Sequence, residues 1–143
     1  GGFLLIDRSE WSEFHRIRVI LKEILGDVLV RMSWWQMFLI AAAAGLGEEV
    51  LFRGVLEPRL GWIAGNLLFG LLHPITLVYA VIVCVMGVGM SSLLALTGNL
   101  WAPIVAHALY DFLALGLLAR RFRRENAKKG LSSASQNSQN DKE

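Results

Sequence analysis

The sequence predicts an all-α fold: a polytopic transmembrane helical bundle of about four membrane segments, preceded by an N-terminal amphipathic helix. The first observation behind this prediction is composition, since 55% of the residues are hydrophobic and 18% are charged. Soluble domains are about 45–50% apolar and about 25% charged. The second observation is that the apolar residues concentrate between 34 and 119, in runs close to the ~20 residues that a membrane crossing needs. We therefore expect a multi-pass integral membrane protein of a cell or organelle membrane.

Composition also divides the chain into three regions. Residues 1–33 form an amphipathic or interfacial region, residues 34–119 an intramembrane core, and residues 120–143 a basic stretch followed by a disordered tail. The net charge is +2, and the basic residues cluster at the two ends, as membrane-flanking charges do. We therefore expect the lipid bilayer, and no nucleic acid, as a partner. The chain opens on Gly1 without an initiator Met, so we expect it to be part of a longer protein.

The first predicted element is an amphipathic helix over residues 10–32. Its apolar side chains recur at spacings of three and four residues: Trp11, Phe14, Ile17, Leu21, Ile24, Leu25, Val28 and Met32. The remaining positions carry too much charge for a membrane-spanning helix. We expect this helix to lie at the membrane interface or against the edge of the bundle. A soluble amphipathic helix that packs on a separate partner is the alternative.

Four apolar segments follow the amphipathic helix. They run over about 33–56, 62–73, 76–96 and 100–119. Pro58 and Gly61 are expected to end the first segment, and Pro74 the second, which is short for a full crossing. The turn at 97–99 closes the third. Arginines from 120 to 124 end the fourth, and the polar composition from Glu125 onward predicts disorder.

Three short motifs place ionisable residues inside these apolar segments. They are Glu48-Glu49 with Arg53, Phe69 with His73, and His107 with Asp111. Each ionisable group at bilayer depth costs about 2.5–3.5 kcal/mol on insertion scales, so such groups usually mark function. At ~1.5 Å of rise per residue, all three motifs lie about 12–18 Å from the loops at 57–61 and 97–99. Similar depth on three segments predicts one polar site between helices.

Spacing within the motifs suggests a role for each residue. Glu49 and Arg53 are four residues apart and share a helix face, so they can pair either as a structural ion pair or as part of a catalytic site. Glu48 points about 100° away from Glu49 and is a candidate general base. Asp111 lies four residues after His107 and could orient its imidazole and select its tautomer.

The donor set allows two routes to peptide hydrolysis. Glu48, His73 and His107 match the ligand count of a catalytic zinc site, in which the metal would lower the pKa of bound water. Without a metal, the same side chains could deprotonate a water and stabilise an oxyanion. The sequence leaves zinc and the metal-free route open. It also leaves open two other functions, a non-catalytic membrane immunity or binding protein and a proton-coupled transporter.

Glu-Glu-x-x-x-Arg, Phe-x-x-x-His and His-x-x-x-Asp, in this order over about residues 41–115, resemble the three motifs of the CAAX-processing type II intramembrane proteases and their bacterial relatives, the ABI or CPBP family. The resemblance implies an intramembrane endopeptidase whose substrate is a membrane-associated protein or peptide; eukaryotic members remove the last three residues of prenylated proteins. It implies catalytic roles for Glu48, Glu49, Arg53, His73, His107 and Asp111. We further expect substrate contacts from Phe52 and Phe69, and metal ligation by Glu48, His73 and His107 if a metal is bound.

One motif residue departs from the family pattern. Asp111 stands where many members of this family have Asn. An ionised carboxylate accepts hydrogen bonds but cannot donate them, whereas an amide donates two. The resemblance therefore implies that Asp111 joins the oxyanion-stabilising cluster either in its protonated form or by orienting His107.

Overall fold

A computed structural model describes the backbone of residues 2–140 and the side chains of residues 15–128 and 130. All of its regular elements are helical: α1 (Gly2–Arg31), α2 (Trp34–Glu49), a π-helical segment (Val50–Leu56), α3 (Glu57–Leu60), α4 (Trp62–Leu71), α5 (Leu77–Thr97) and α6 (Trp101–Asn140). The all-α prediction is confirmed for these residues. Gly98, at φ +62°, ends α5 in the predicted turn.

Two of the helices are long and apolar enough to cross a membrane. They are α5, with a mean hydropathy of 2.3, and Trp101–Lys128 of α6, with a mean hydropathy of 1.6. Only 11% and 28% of their most apolar windows are buried within the described chain. Apolar side chains that face outward over so large a surface suit contact with lipid rather than water. The sequence predicted four membrane segments, and length and composition single out two of them.

α1 packs along α6 with a face that agrees with the predicted stripe in part. The buried or half-buried side chains include Ile17, Leu21, Leu25 and Leu29, and Met32 just after the helix. Ile24 and Val28, which the predicted stripe included, are 65% and 56% exposed. The position of the stripe is set by a core cluster of Leu29, Met32, Met37, Ala119 and Phe122, which joins α1, α2 and α6. Trp11 and Phe14 lie outside the side chains that the structure describes.

Polar contacts hold the end of α1 against α6. Arg123 donates from Nε to the carbonyl of Val30 at 3.0 Å and from Nη2 to the carbonyl of Met32 at 2.6 Å. These carbonyls lie at the C-terminus of α1, where a helix cannot satisfy its own acceptors. Lys22 also forms an ion pair with Glu125. The arginine-rich stretch after residue 119 therefore caps and anchors α1.

Of the two residues predicted to end the first apolar segment, Gly61 does so and Pro58 does not. α2, the π-helical segment and α3 follow one another from Trp34 to Leu60, and the chain turns at Gly61, which adopts φ +85°. Pro58 is tolerated because it occupies the first turn of α3, where a missing N–H costs little. Ser33 begins the segment with a capping box to Gln36.

The polar tail is helical as far as the structure describes it. α6 continues through Asn140, whereas composition predicted disorder from Glu125 onward. Extending an existing helix adds one hydrogen bond per residue and avoids the cost of nucleation. The stretch after Ala119 also contains no proline that would stop it. The disordered-tail prediction is therefore wrong for residues 125–140, and residues 141–143 lie outside the described part.

Glycines allow the helices that carry the motifs to approach closely. A Cβ at Gly45 in α2 would lie 2.8 Å from the backbone nitrogen of Ala108 in α6. A Cβ at Gly70 in α4 would lie 2.7 Å from the carbonyl oxygen of Ala80 in α5 and would overlap the sulfur of Cys84. Real Cβ atoms do not make such contacts. Backbone-to-backbone approach therefore places α2 on α6 and α4 on α5.

A pair of alanine substitutions in α2 tests this packing. Gly45→Ala is expected to destabilise the protein by about 1–3 kcal/mol, because its methyl group meets the α6 backbone rather than a movable side chain. Gly47→Ala is the matched control, since a Cβ there meets nothing within 4 Å. Replacing that exposed helical glycine is expected to be neutral or slightly stabilising. Thermal unfolding in detergent measures both, and equal effects would contradict this account of the α2–α6 contact.

Candidate active site

Two adjacent glutamates of α2 face different surroundings. Glu49 is fully buried at 0% exposure, whereas Glu48 is half-buried and lines a cavity. The sequence predicted this divergence from the ~100° turn between consecutive helical residues. The two carboxylates therefore have different neighbours and can have different roles.

Glu49 lies at the centre of a buried polar cluster. Its Oε1 accepts a hydrogen bond from Arg53 Nη1 at 3.2 Å, and its Oε2 lies 3.2 Å from Arg53 Nε as an ion pair without hydrogen-bond alignment. The predicted pairing of Glu49 with Arg53 is therefore confirmed. Glu49 Oε1 also lies 2.7 Å from His107 Nδ1. A carboxylate therefore joins α2 to the histidine of α6.

His107 is oriented by Glu49 and not by Asp111. Asp111 Oδ2 lies 3.6 Å from His107 Nε2, which is too long for a hydrogen bond. The prediction that Asp111 orients this imidazole is therefore wrong in this structure. Asp111 is near enough to act through its charge. The 2.7 Å contact with Glu49 requires a proton on Nδ1, which leaves Nε2 to face the cavity.

His73 is held in the same manner by a backbone carbonyl. It follows α4 directly, before Pro74, and its Nδ1 lies 2.8 Å from the carbonyl oxygen of Phe69. Because a carbonyl only accepts, Nδ1 of His73 carries the proton. The Phe69 ring walls the imidazole at a centroid distance of 5.0 Å, as its position one helical turn earlier predicted. The second histidine therefore also presents Nε2.

Three polar atoms converge at the end of the cavity. Glu48 Oε2 lies 3.8 Å from His73 Nε2 and 3.8 Å from His107 Nε2. This oxygen is buried, and the described residues provide it with no hydrogen-bond partner. A buried acceptor without a partner is costly, and polar groups at this separation are commonly bridged by water. The structure thus brings together the three residues predicted to form one site.

The cavity is polar at one end and apolar along the rest of its length. Its volume is about 400 Å³, and Glu48, His73, His107 and Asp111 form the polar end. The hydroxyl-bearing residues Tyr79 and Tyr110 also line it. Leu21 and Leu25 of α1 and Leu115 and Leu118 of α6 line the apolar part. An apolar group can therefore lie next to the converging acid and histidine atoms.

Residues 30–113 match the family model described as Type II CAAX prenyl endopeptidase Rce1-like. The chain belongs to this family. The matched range contains all three motifs, and the members of this membrane-embedded family are hydrolases. Searches of curated proteins and of solved structures found no match.

For this member of the CAAX endopeptidase family, the two predicted substrate-contacting phenylalanines lie differently. Phe69 lines the cavity. Phe52 is buried behind it, with the ring centroids 4.8 Å apart, and it is not among the described residues that line the cavity. Phe69 can therefore touch a bound group directly, and Phe52 supports Phe69. Substrate binding by either residue stays a prediction.

The predicted zinc site has suitable donor types but not the geometry of a metal site. Glu48, His73 and His107 offer one oxygen and two nitrogen atoms that face each other. However, no group of three His, Cys, Asp or Glu side chains within the described ranges lies close enough to hold a metal ion. The residues as placed suit a water better than a metal. Zinc ligation by these three residues stays a prediction.

Sequence reasoning missed a second set of polar residues next to the motifs. Asn66 in α4 and Ser91 in α5 are buried and hydrogen-bonded to each other, and Asn66 contacts Arg53. A single asparagine within the apolar run of α4 was the available signal, because an uncompensated amide in such a run is costly.

Proposed function

We propose that the protein is an intramembrane endopeptidase that hydrolyses a peptide bond of a membrane-associated protein or peptide. The observation that carries this proposal is the buried, unpartnered Oε2 of Glu48 facing two histidine Nε2 atoms at 3.8 Å. Hydrolysis needs a base at the water, and a carboxylate within hydrogen-bond reach of that water supplies it. Family membership supports the same reaction class.

Glu48 and His73 hold and activate the attacking water. Water donates two hydrogen bonds, and Glu48 Oε2 and His73 Nε2 are acceptors 3.8 Å apart that one water can bridge. Glu48 removes one proton as the water oxygen bonds to the scissile carbonyl carbon. It then returns that proton to the leaving amine when the C–N bond breaks. The second proton of the water stays on the new carboxyl group and is lost to solvent when that group ionises, so the products are a carboxylate terminus and a free amine terminus.

His107 stabilises the oxyanion that forms on the scissile carbonyl. Glu49 accepts from its Nδ1 at 2.7 Å, Asp111 lies 3.6 Å from its Nε2, and Glu48 lies 3.8 Å from its Nε2. An imidazole with protons on both nitrogens donates from Nε2 to this oxyanion. Asp111 lies beside that nitrogen and contributes through its charge. This assigns the oxyanion donor to His107 and removes the need for an amide at position 111.

The apolar part of the cavity suits a lipid-modified substrate. A prenyl chain would lie against the leucines of α1 and α6, with the adjoining peptide bond at Glu48 and His73. The family description names prenyl endopeptidases, which supports this substrate class. The four-segment bundle stays a prediction: beside α5 and α6, which are long and apolar enough to cross a membrane, the α2–α4 region would supply the other two segments.

A peptide assay tests the proposed function. The protein is reconstituted in liposomes and incubated with a farnesylated peptide that ends in a Cys-aliphatic-aliphatic-X sequence, and release of the C-terminal tripeptide is followed by mass spectrometry. Release is expected from the farnesylated peptide and not from the same peptide without farnesyl. The absence of cleavage of either peptide would contradict a CAAX-type activity.

Chelation separates the two routes to hydrolysis. Because the described side chains suit a water at Glu48, His73 and His107, we expect activity to survive dialysis against a strong chelator. The peptide assay before and after dialysis measures this. A loss of activity that added zinc restores would contradict the metal-free route and would assign the three side chains as ligands.

A further inference from the structure

A network of buried hydrogen bonds extends from Glu49 of the active site through Arg53 to residues that do not line the cavity. Arg53 carries five N–H donors and no acceptor, so every partner of its guanidinium must accept. Beyond Glu49, Nη2 donates to the carbonyl oxygen of Gly87 at 2.7 Å and to Oδ1 of Asn66 at 3.3 Å. The guanidinium is therefore held from α2, α4 and α5 at once.

Both polar atoms of the Asn66 side chain have hydrogen-bond partners in this network. Its Nδ2 donates to the carbonyl oxygen of Trp62 and to Oγ of Ser91, each at 3.0 Å. Ser91 in turn donates to Oε2 of Glu57 at 2.7 Å. Acceptors surround Nδ2 and a donor faces Oδ1, so only one orientation of the amide satisfies both ends. The side chain is 4% exposed and cannot exchange these partners for water.

The backbone of α5 is shaped to admit this contact. A Cβ at Gly87 would lie 2.6 Å from Asn66 Oδ1 and 3.1 Å from Arg53 Nη2. Glycine at this position therefore lets the amide and the guanidinium meet against α5. The Phe69 ring covers the guanidinium at 4.7 Å from its centroid and excludes alternative positions.

We propose that Asn66 is a positioning residue for hydrolysis: together with Ser91 it holds Arg53, and through Arg53 and Glu49 it sets the position of His107. This inference rests on the proposed function. The path of polar contacts from Asn66 to His107 is continuous. Arg53 Nη1 lies 3.2 Å from Glu49 Oε1, and that same oxygen lies 2.7 Å from His107 Nδ1. Asn66 acts through these groups and does not line the cavity.

Variants that separate the acceptor from the donor of Asn66 test this proposal. Asn66→Leu keeps similar volume and removes the acceptor, so Arg53 and then His107 gain freedom. We expect kcat per folded molecule to fall about 10- to 100-fold with KM little changed, since small misplacements of catalytic groups have effects of this size. Asn66→Asp keeps an oxygen toward Arg53 but loses the donor to Ser91 and the Trp62 carbonyl, so kcat is expected to fall only about three- to tenfold, less than in Asn66→Leu.

Two serine substitutions test the same proposal if Asn66→Leu fails to fold. Ser91→Ala removes a partner of Asn66 and is expected to lower kcat about three- to tenfold by the same route. Ser92→Ala is the matched control, because Ser92 is exposed and its hydroxyl bonds only the Val88 carbonyl of its own helix. The farnesylated peptide assay provides kcat and KM, and unfolding in detergent provides the folded fraction.

The outcomes distinguish this inference from the proposed function. If Glu48→Gln abolishes cleavage while Asn66→Leu and Ser91→Ala keep wild-type kcat per folded molecule, the positioning role is overturned and the protease assignment stands. Equal impairment of Asn66→Leu and Asn66→Asp would also overturn it. If Glu48→Gln cleaves like the wild type, the proposed function itself fails.

Discussion

Glu48→Gln is expected to lower the rate of peptide cleavage by about 100- to 10,000-fold, the usual contribution of a general base. The amide keeps the shape of the side chain and loses the ability to take a proton from water. Glu48 Oε2 is buried and faces both histidine Nε2 atoms at 3.8 Å, which places it where it can take a proton from a water between them. The farnesylated peptide assay in liposomes measures the rate.

A glutamate outside the site controls for the loss of one negative charge. Glu23 lies on α1 and is exposed, so Glu23→Gln is expected to leave cleavage unchanged. Both variants should keep the wild-type unfolding temperature, because Glu48 makes no hydrogen bond through Oε2 among the described residues. Cleavage by Glu48→Gln within threefold of the wild-type rate would show that another group activates the water.

Arg53→Leu is expected to destabilise the protein by about 3–5 kcal/mol, because it leaves a buried carboxylate without its cation. Glu49 is 0% exposed and Arg53 is 3% exposed, so neither charge can reach solvent. The carbonyl oxygen of Gly87 and Oδ1 of Asn66 also lose the hydrogen bonds that the guanidinium donates to them. Equilibrium unfolding in detergent, followed by circular dichroism, measures the change.

Removing both charges separates a structural ion pair from a catalytic one. The double variant Glu49→Leu with Arg53→Leu is expected to be more stable than either single variant, because no buried charge is left unpaired. It should remain inactive, because His107 loses the acceptor of its Nδ1. Arg121→Gln is the surface control, and its half-exposed pair with Glu125 should contribute no measurable stability. Recovery of activity in the double variant would restrict the pair to a structural role.

The sequence was sufficient to predict which motifs meet. Helical rise per residue is nearly constant, so positions counted from the loops place Glu48, His73 and His107 at one depth. The four-residue spacing of Glu49 and Arg53 predicted their ion pair for the same local reason. The roles of these residues remain predictions until activity is measured.

Partners across helices could not be read from spacing. Asp111 stands one turn from His107 and seemed its natural partner, but the close approach of α2 at Gly45 brings Glu49 to His107 Nδ1 instead. The buried face of α1 was predicted only in part for the same reason. Leu29 is buried because Phe122 and Ala119 of α6 pack there, whereas Ile24 fits the periodicity equally well and is exposed. Which side chains are buried or paired depends on how neighbouring helices pack, and the spacing within one helix does not determine that.

We propose that this member of the CAAX endopeptidase family hydrolyses membrane-associated proteins with Glu48 as the base. The most direct test compares the termini of membrane proteins by mass spectrometry, in cells that carry either the wild type or Glu48→Gln at equal expression. We expect new C-termini that appear only with the wild type, on lipid-modified proteins. Identical termini in the two samples would contradict proteolysis and would favour a non-catalytic membrane protein built on the same helices.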